Sequence, residues 1–193
     1  MHFDDKKLTD TLNDLITQLR LPESFRPNIE NIYLPLSEML NNHANAETKT
    51  TFISINGCQG SGKTTLTAFL KTILESRFGK SVAIISLDDF YLKKHERVEL
   101  SQTVHPLFIT RGVPGTHDLG LMEDTIGQLL DAQAVSLPVF DKLTDDRLEP
   151  VQCLKQEPAD MVLFEGWCNS SPAQRDDDLR EPVNELERDE DRE

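Results

Sequence analysis

The sequence predicts an α/β protein of three layers built on a parallel sheet, and two observations carry that prediction. Three short apolar, β-branched runs, "TTFISIN", "SVAIISL" and "DMVLFEGW", are separated by stretches of helical period. The first run leads straight into a glycine-rich loop that opens a helix, so strand, loop, helix and strand make a βαβ unit with a right-handed crossover. At 193 residues, 37% hydrophobic and 28% charged, the chain suits one soluble domain with one sizeable core.

The elements follow in order. Residues 6–20 place Leu8, Leu12, Leu15, Ile16 and Leu19 on one stripe, which predicts an amphipathic helix ahead of the sheet. "LPESFRP" breaks it, "IYLPLSEMLNNHA" predicts a second short helix, and the polar "NNHANAETK" links to the first strand. These 48 residues read as an N-terminal helical extension and 49–193 as the core. "KTTLTAFLKTILESRFG" is a helix ending on Gly79 as a C-cap. "SVAIISL" is too apolar to be half solvated, as expected inside a parallel sheet. From "DDFYLKKHERVELSQ" to "HPLFITRGVPGTHDLG" the pattern is loop-rich and polar, a length of loop that often carries function. "LMEDTIGQLLDAQ" reads as a helix, "VSLPVFDK" as an extended segment broken by Pro138, and "DMVLFEGW" as a third buried strand ending on a carboxylate.

Composition excludes several classes. A net charge of −14 opposes a general affinity for nucleic acid or anionic membrane. No run of eighteen apolar residues exists, and "MHFDDKKLTD" lacks both the basic start and the apolar core of a signal peptide, so a cytoplasmic protein is expected. Cys58, Cys153 and Cys168 are too scattered for a disulfide framework and form no CxxC pair, which predicts free thiols. From Gln174 onward ten acidic residues face four basic ones, the pattern of a solvated helix face or frayed tail.

The residues that carry chemistry begin with Gly57-Cys58-Gln59-Gly60-Ser61-Gly62-Lys63-Thr64, which fits G-x-x-x-x-G-K-[ST] at every fixed position, with Thr65 following. Glycines let successive backbone N–H groups turn toward an anion, and the helix adds its positive end. Lys63 would reach the β- and γ-phosphates of a nucleotide and the Thr64 hydroxyl would ligate Mg²⁺. Cys58, at a helix N-terminus, is either oxidant-sensitive or filler. Asp88 and Asp89 stand at the carboxyl end of the second strand, the edge where open α/β sheets place ligands. Such a pair can cap a helix or face solvent, but beside a phosphate loop Asp88 suits the group that orients an attacking hydroxyl and accepts its proton. Asp89 would contact Mg²⁺ through water or face solvent. Glu165, at the tip of a buried strand, reads as a Mg²⁺- or water-positioning carboxylate, with a salt bridge to Lys63 as the alternative. In the intervening loops Arg111, His117, Asp118, Asp141, Lys142 and Arg147 are either surface charges or, for the cations, clamps on an acceptor's carboxylate or phosphate.

Taken together, "GCQGSGKTT", "ISLDDFYL", "RGVPGTHDL", "LPVFDK" and "LFEGWC", in this order, resemble the P-loop kinases of small metabolites: uridine kinase, phosphoribulokinase, pantothenate kinase and glycerate kinase. Within that group "DDFY", "RG.PG.HD", "P.FDK" and "FEGW" resemble the D-glycerate 3-kinases and their kinase-like relatives. The resemblance runs from about Ile32 to the end. It implies the P-loop NTPase fold, dependence on ATP and Mg²⁺, and phosphorylation of an alcohol, glycerate in the nearest branch. By matching motif, Lys63 and Thr64 take the nucleotide roles, Asp88 the base role and Glu165 the Walker B role. Tyr91, Arg111, His117, Asp118, Asp141 and Arg147 fall in segments that shape the acceptor pocket of relatives. The relatives also continue past the last residue here, with further strands and a lid. The chain is therefore expected to be a fragment, a truncated reading frame or a minimal form completed by oligomerisation, with the phosphate-loop strand at a sheet edge.

Overall fold

The computed structural model describes residues 5–112, 114–149 and 153–190. Its centre is a three-stranded parallel sheet. Strand β1 (Thr51–Asn56) leads through the glycine-rich loop into helix α4 (Lys63–Phe78), and β2 (Val82–Ser86) follows. Strand β7 (Met161–Gly166) returns late in the chain and inserts between them, giving the order β1-β7-β2. The βαβ unit read from the sequence is therefore not a pair of neighbours, because β7 occupies the gap. Thr51 and Val82 both pair with Met161, and Asn56 and Ser86 pair with Gly166 and Glu165. This common register brings all three strands to the same edge at their carboxyl ends.

Period-two alternation along β7 builds the layers. Met161 and Leu163 point to the face covered by α4 and by helix α3 (Leu34–Ala46), where they pack with Leu40, Leu70, Leu74 and Val82. Val162 and Phe164 point to the opposite face and pack with Ala83, Ile85, Phe90 and Leu129, the last from helix α6 (Leu119–Leu130). All six residues of β7 are buried, as a strand covered on both faces and paired on both sides must be. β1 is paired on its β7 side and has Ser54 and Asn56 exposed, so among the described residues the phosphate-loop strand lies at the sheet edge.

The N-terminal segment forms α1 (Asp5–Gln18), a single turn α2 (Arg26–Asn28) and a π-helical turn, Ile29–Tyr33, that runs into α3. Leu12 and Ile16 of α1 and Ile29 pack on Phe69 and Ile73, the side of α4 turned away from the sheet. Phe25, Tyr33 and Phe69 add a ring cluster with centroids 5.3–5.8 Å apart. Gly79 adopts the left-handed conformation, φ 65°, and caps α4 as its position predicted. No helix of the described residues is long and apolar enough to cross a membrane.

Two parts of the reading are corrected. The stretch read as loop contains helix α5 (Lys94–Thr103), whose one buried residue is Arg97. With a cation as its inward face, α5 has no apolar stripe to betray it. Local capping holds its start, the Glu96 carboxylate accepting the Lys93 N–H at 2.7 Å. Two small antiparallel pairs also form, β3 (Val135–Leu137) with β6 (Leu154–Gln156) and β4 (Phe140–Asp141) with β5 (Asp146–Arg147). The acidic C-terminal run is exposed from Gln174 to Glu181, with a 3₁₀ turn Asp176–Leu179 and a final helix α7 (Glu185–Glu190).

Phe69 is fully buried and joins α1 to α4. Phe69→Ala is expected to lower unfolding free energy by about 3–5 kcal/mol in urea titration; a change below about 1 kcal/mol would mean that the N-terminal helices are not part of the core.

Candidate active site

At the carboxyl edge of the sheet the phosphate loop turns through Gly60 and Gly62, with φ 76° and 88°, a conformation that residues with a Cβ rarely adopt. The first helical bond of α4, Leu66 N–H to Gly62 O, measures 2.8 Å. The Lys63 ammonium donates to the carbonyls of Gly57 at 2.6 Å and Cys58 at 2.8 Å, inside the loop. Gly57 N–H donates to Gly166 O at 3.2 Å, which ties the loop to the end of β7. Gly166 has to be glycine, since a Cβ there would stand 2.8 Å from that of Leu87 and 2.1 Å from the Asn169 carboxamide oxygen.

Glu165, one residue earlier and 8% exposed, accepts the Thr64 hydroxyl at 3.1 Å. The salt bridge to Lys63 weighed as the alternative does not form. A hydroxyl and a carboxylate side by side next to a phosphate loop are the donors Mg²⁺ takes when phosphate oxygens and water complete its shell.

Asp88 follows β2 in a 3₁₀ turn, Leu87–Phe90, and each of its oxygens has a partner. Oδ1 accepts the Tyr91 hydroxyl at 3.3 Å and Oδ2 the Lys142 ammonium at 2.7 Å. Burial, and then the neighbouring Asp88 charge, push the Tyr91 phenol up to about 12. The Tyr91 ring stacks on His117 with centroids 4.4 Å apart and meets Phe140 edge-on. Burial lowers the His117 pKa, which favours a neutral ring, and its Nε2 is buried without a hydrogen-bond partner among the described residues. Asp89 points elsewhere: its Oδ1 accepts the Phe140 N–H at 3.1 Å, fastening β4 to the 3₁₀ turn, and burial raises its pKa.

Two cavities meet at this edge. One, about 300 Å³, lies over the phosphate loop between Lys63, Thr64 and Glu165. The other, about 570 Å³, is lined by Tyr91, Arg111 and Asp145. Gln59, Asp88 and Lys142 line both. Of the predicted acceptor residues, Asp88, Tyr91 and Arg111 come together here. The other four sit behind them. His117 backs Tyr91; Asp118 caps α6, its Oδ1 accepting the Leu121 N–H at 3.0 Å while Oδ2 accepts from Arg147 at 2.9 Å. Asp141 holds a turn by accepting from the Leu143 N–H and the Thr144 hydroxyl, each at 2.9 Å.

Sequence reasoning missed Arg97 and Asp145. Asp145, in the left-handed conformation at φ 56°, bridges the guanidinium groups of Arg97, at 2.9 Å, and Arg111. Arg97 is 1% exposed and also donates to the carbonyls of Leu92, Ile109 and Asp145. Both arginines flank the Phe140 ring, 5.6–5.8 Å from its centroid. Burial opposes the charge on Asp145, but its bonds to Arg97 and Arg111 prevail and hold its carboxyl below the ordinary range. The "TDDR" string gave no means of choosing Asp145 over its neighbours.

The fold and the loop define a P-loop kinase, and the comparisons narrow the class. Residues 52–171, more than half of the chain, match the Phosphoribulokinase / Uridine kinase family, and the protein belongs to it. It is 39% identical over 125 residues to the uncharacterized kinase mug58 of Schizosaccharomyces pombe, covering 60% of this chain and 45% of that one. It is 33% identical over 126 residues to the chloroplastic D-glycerate 3-kinase of Arabidopsis thaliana, covering 60% of this chain and 27% of the relative. Among solved structures, D-glycerate 3-kinase from Cryptococcus neoformans superimposes with a TM-score of 0.68 at 31% identity, over 81% of this chain and 58% of that one. The chain thus spans less than half the length of these two curated relatives.

Arg97→Ala should cost about 2 kcal/mol of unfolding free energy, because it takes their donor from three carbonyls and from the one-third-exposed Asp145 carboxylate; a loss within about 0.5 kcal/mol would contradict the role given to it. The lowered Asp145 pKa also has a sign. Its stabilisation is complete above the unfolded carboxyl value, about 4, and disappears as pH falls through the lower folded value. Asp145→Asn should therefore flatten the acid limb of a melting-temperature profile below about pH 4; an unchanged limb would contradict the pairing.

Proposed function

We propose that this protein transfers the γ-phosphate of ATP, with Mg²⁺, to a hydroxyl group of a small anionic metabolite, and that D-glycerate is the first acceptor to consider. The observation that carries this reading is the common wall of the two cavities, which sets Asp88 between the phosphate loop and a pocket fitted with a fixed arginine. The names of relatives support the acceptor, since D-glycerate 3-kinases appear among both the sequence and the structural matches.

In this reading backbone N–H groups of the loop after Gly57 cradle the phosphates and Lys63 turns from the loop carbonyls to their oxygens. Thr64 and Glu165 hold the Mg²⁺ that, when bound, neutralises charge on the β- and γ-phosphates. Arg111, braced by Asp145 and Phe140, receives the acceptor's carboxylate, a geometry suited to a bidentate contact. Asp88 orients the acceptor hydroxyl. As the hydroxyl oxygen bonds to γ-phosphorus and the bond to the β-phosphate oxygen breaks, the hydroxyl proton passes to Asp88 and ADP leaves. Tyr91 forms part of the pocket wall, with His117 stacked behind it. Asp118, Asp141 and Arg147 shape it through their own pairs, and Asp89 acts by anchoring Phe140 instead of binding metal. Cytoplasmic residence is part of the same reading, motivated by the sequence.

ADP release by the purified chain with Mg²⁺-ATP tests this. Release should require D-glycerate and should fall at least about a hundredfold in Lys63→Ala, which removes the cation that would stabilise charge on the transferring group. ADP formed without any acceptor would make the protein a nucleotide hydrolase. Stimulation by uridine or pantothenate in place of glycerate would move it to another branch of the family.

A further inference from the structure

Among the described residues Lys142 is the one cation that lines both cavities, and its surroundings give it an anchored base and an exposed head. The anchor lies on both sides of it in the chain. The backbone N–H of Phe140 is fastened to Asp89, and the Asp141 carboxylate closes the following turn through Leu143 N–H and the Thr144 hydroxyl. The side chain itself is 60% exposed and, among the described residues, is held by the 2.7 Å bond to Asp88 Oδ2. An exposed pair of this kind contributes little to stability. Its position matters more, because Oδ2 is an oxygen that a base needs free to meet an acceptor hydroxyl. The other oxygen already receives Tyr91.

We propose that Lys142 is a catalytic residue that changes partner with the nucleotide: it neutralises Asp88 before ATP binds and swings to the γ-phosphoryl group once a triphosphate lies in the loop. This rests on the reading of the site as a kinase. The exchange is favourable because the end of a triphosphate concentrates more negative charge than one carboxylate. It does two things in one movement. It uncovers Asp88 Oδ2 for the acceptor hydroxyl, and it brings an ammonium to the oxygens of the group in transit, where charge has to be stabilised during transfer. Asp88 is then available as a base when a phosphoryl donor is present and is occupied when it is not, which suppresses a futile encounter with the acceptor alone. In a chain of net charge −14, a cation held in reserve at the junction of the two cavities also offsets the repulsion that an anionic acceptor meets on approach.

Acylation of lysines in the full chain, read by mass spectrometry, tests the exchange without turnover. Samples contain no nucleotide, Mg²⁺-ADP, or Mg²⁺ with a non-hydrolysable ATP analogue. Lys63 should lose reactivity with both nucleotides, and Lys142 should lose most of its reactivity with the ATP analogue but not with ADP. Lys80, which donates to Asn45 at the other end of the sheet, should not change. Protection of Lys63 with Lys142 equally reactive under both nucleotides would overturn this inference and leave the kinase reading intact. Lys63 unprotected by either nucleotide would overturn both. In steady-state kinetics Lys142→Ala should lower kcat about a hundredfold with KM for ATP and acceptor little changed, and Lys142→Arg should recover a large part. A raised KM for the acceptor at unchanged kcat would instead make Lys142 an acceptor ligand and overturn the exchange.

Discussion

Everything at the site depends on one strand being able to pass through the middle of the sheet with all six of its residues buried. β7 contributes Met161 and Leu163 to one layer and Val162 and Phe164 to the other, and pairs with β1 and β2 in common register. Burying those four side chains against two helical layers supplies on the order of 1.5–3 kcal/mol each before entropy is counted. The strand can then carry a carboxylate, Glu165, to the edge of a dry sheet, where the Thr64 hydroxyl meets it. Gly166 extends the same logic by letting β7 end against Leu87 and hold Gly57 from behind. A slip of one residue in β7 would exchange its two faces and move Glu165 away from the loop.

A second principle governs the acceptor side, where charges are fixed by other charges. Asp145 holds Arg97 and Arg111, Lys142 holds Asp88, and Arg147 holds Asp118. The pairs differ in burial and so in consequence. Arg97 is sealed inside and serves structure, since an unpaired charge there would be costly. Arg111 is one-third exposed and Lys142 more than half, so their pairs contribute little to stability. Within an acidic chain these cations gather at one edge of the sheet, which makes the local potential there less negative than the net charge implies.

The sheet and the nucleotide half of the site were legible because their signals are local. The Gly57–Thr64 spacing, the apolar runs and Gly79 each act within a few residues of where they are read. Glu165 stood out because a charge closes an apolar strand. The acceptor half was legible in kind but not in detail. Arg111 and Asp88, both singled out in the sequence, line one cavity, yet the residue that orients Arg111 is Asp145, one of several acidic residues in a short loop, selected by a left-handed backbone that the sequence does not announce. α5 escaped for a related reason: its inward residue is an arginine, and hydrophobic periodicity is blind to a helix that docks through hydrogen bonds. The position of β7 between β1 and β2 is a property of topology, not of any segment.

A crystal structure of the chain with Mg²⁺ and a non-hydrolysable ATP analogue would test the central claim most directly, that the phosphate loop presents a terminal phosphate to Asp88 across the wall shared by the two cavities. The account predicts the triphosphate along Gly57–Thr65, the metal at Thr64 and Glu165, and the γ-phosphate facing Asp88. A further cavity of about 410 Å³ opens between Ala44 and Asp160 at the amino ends of the same strands. The triphosphate bound there, or bound in the loop with its terminal phosphate turned away from Asp88, would contradict the account.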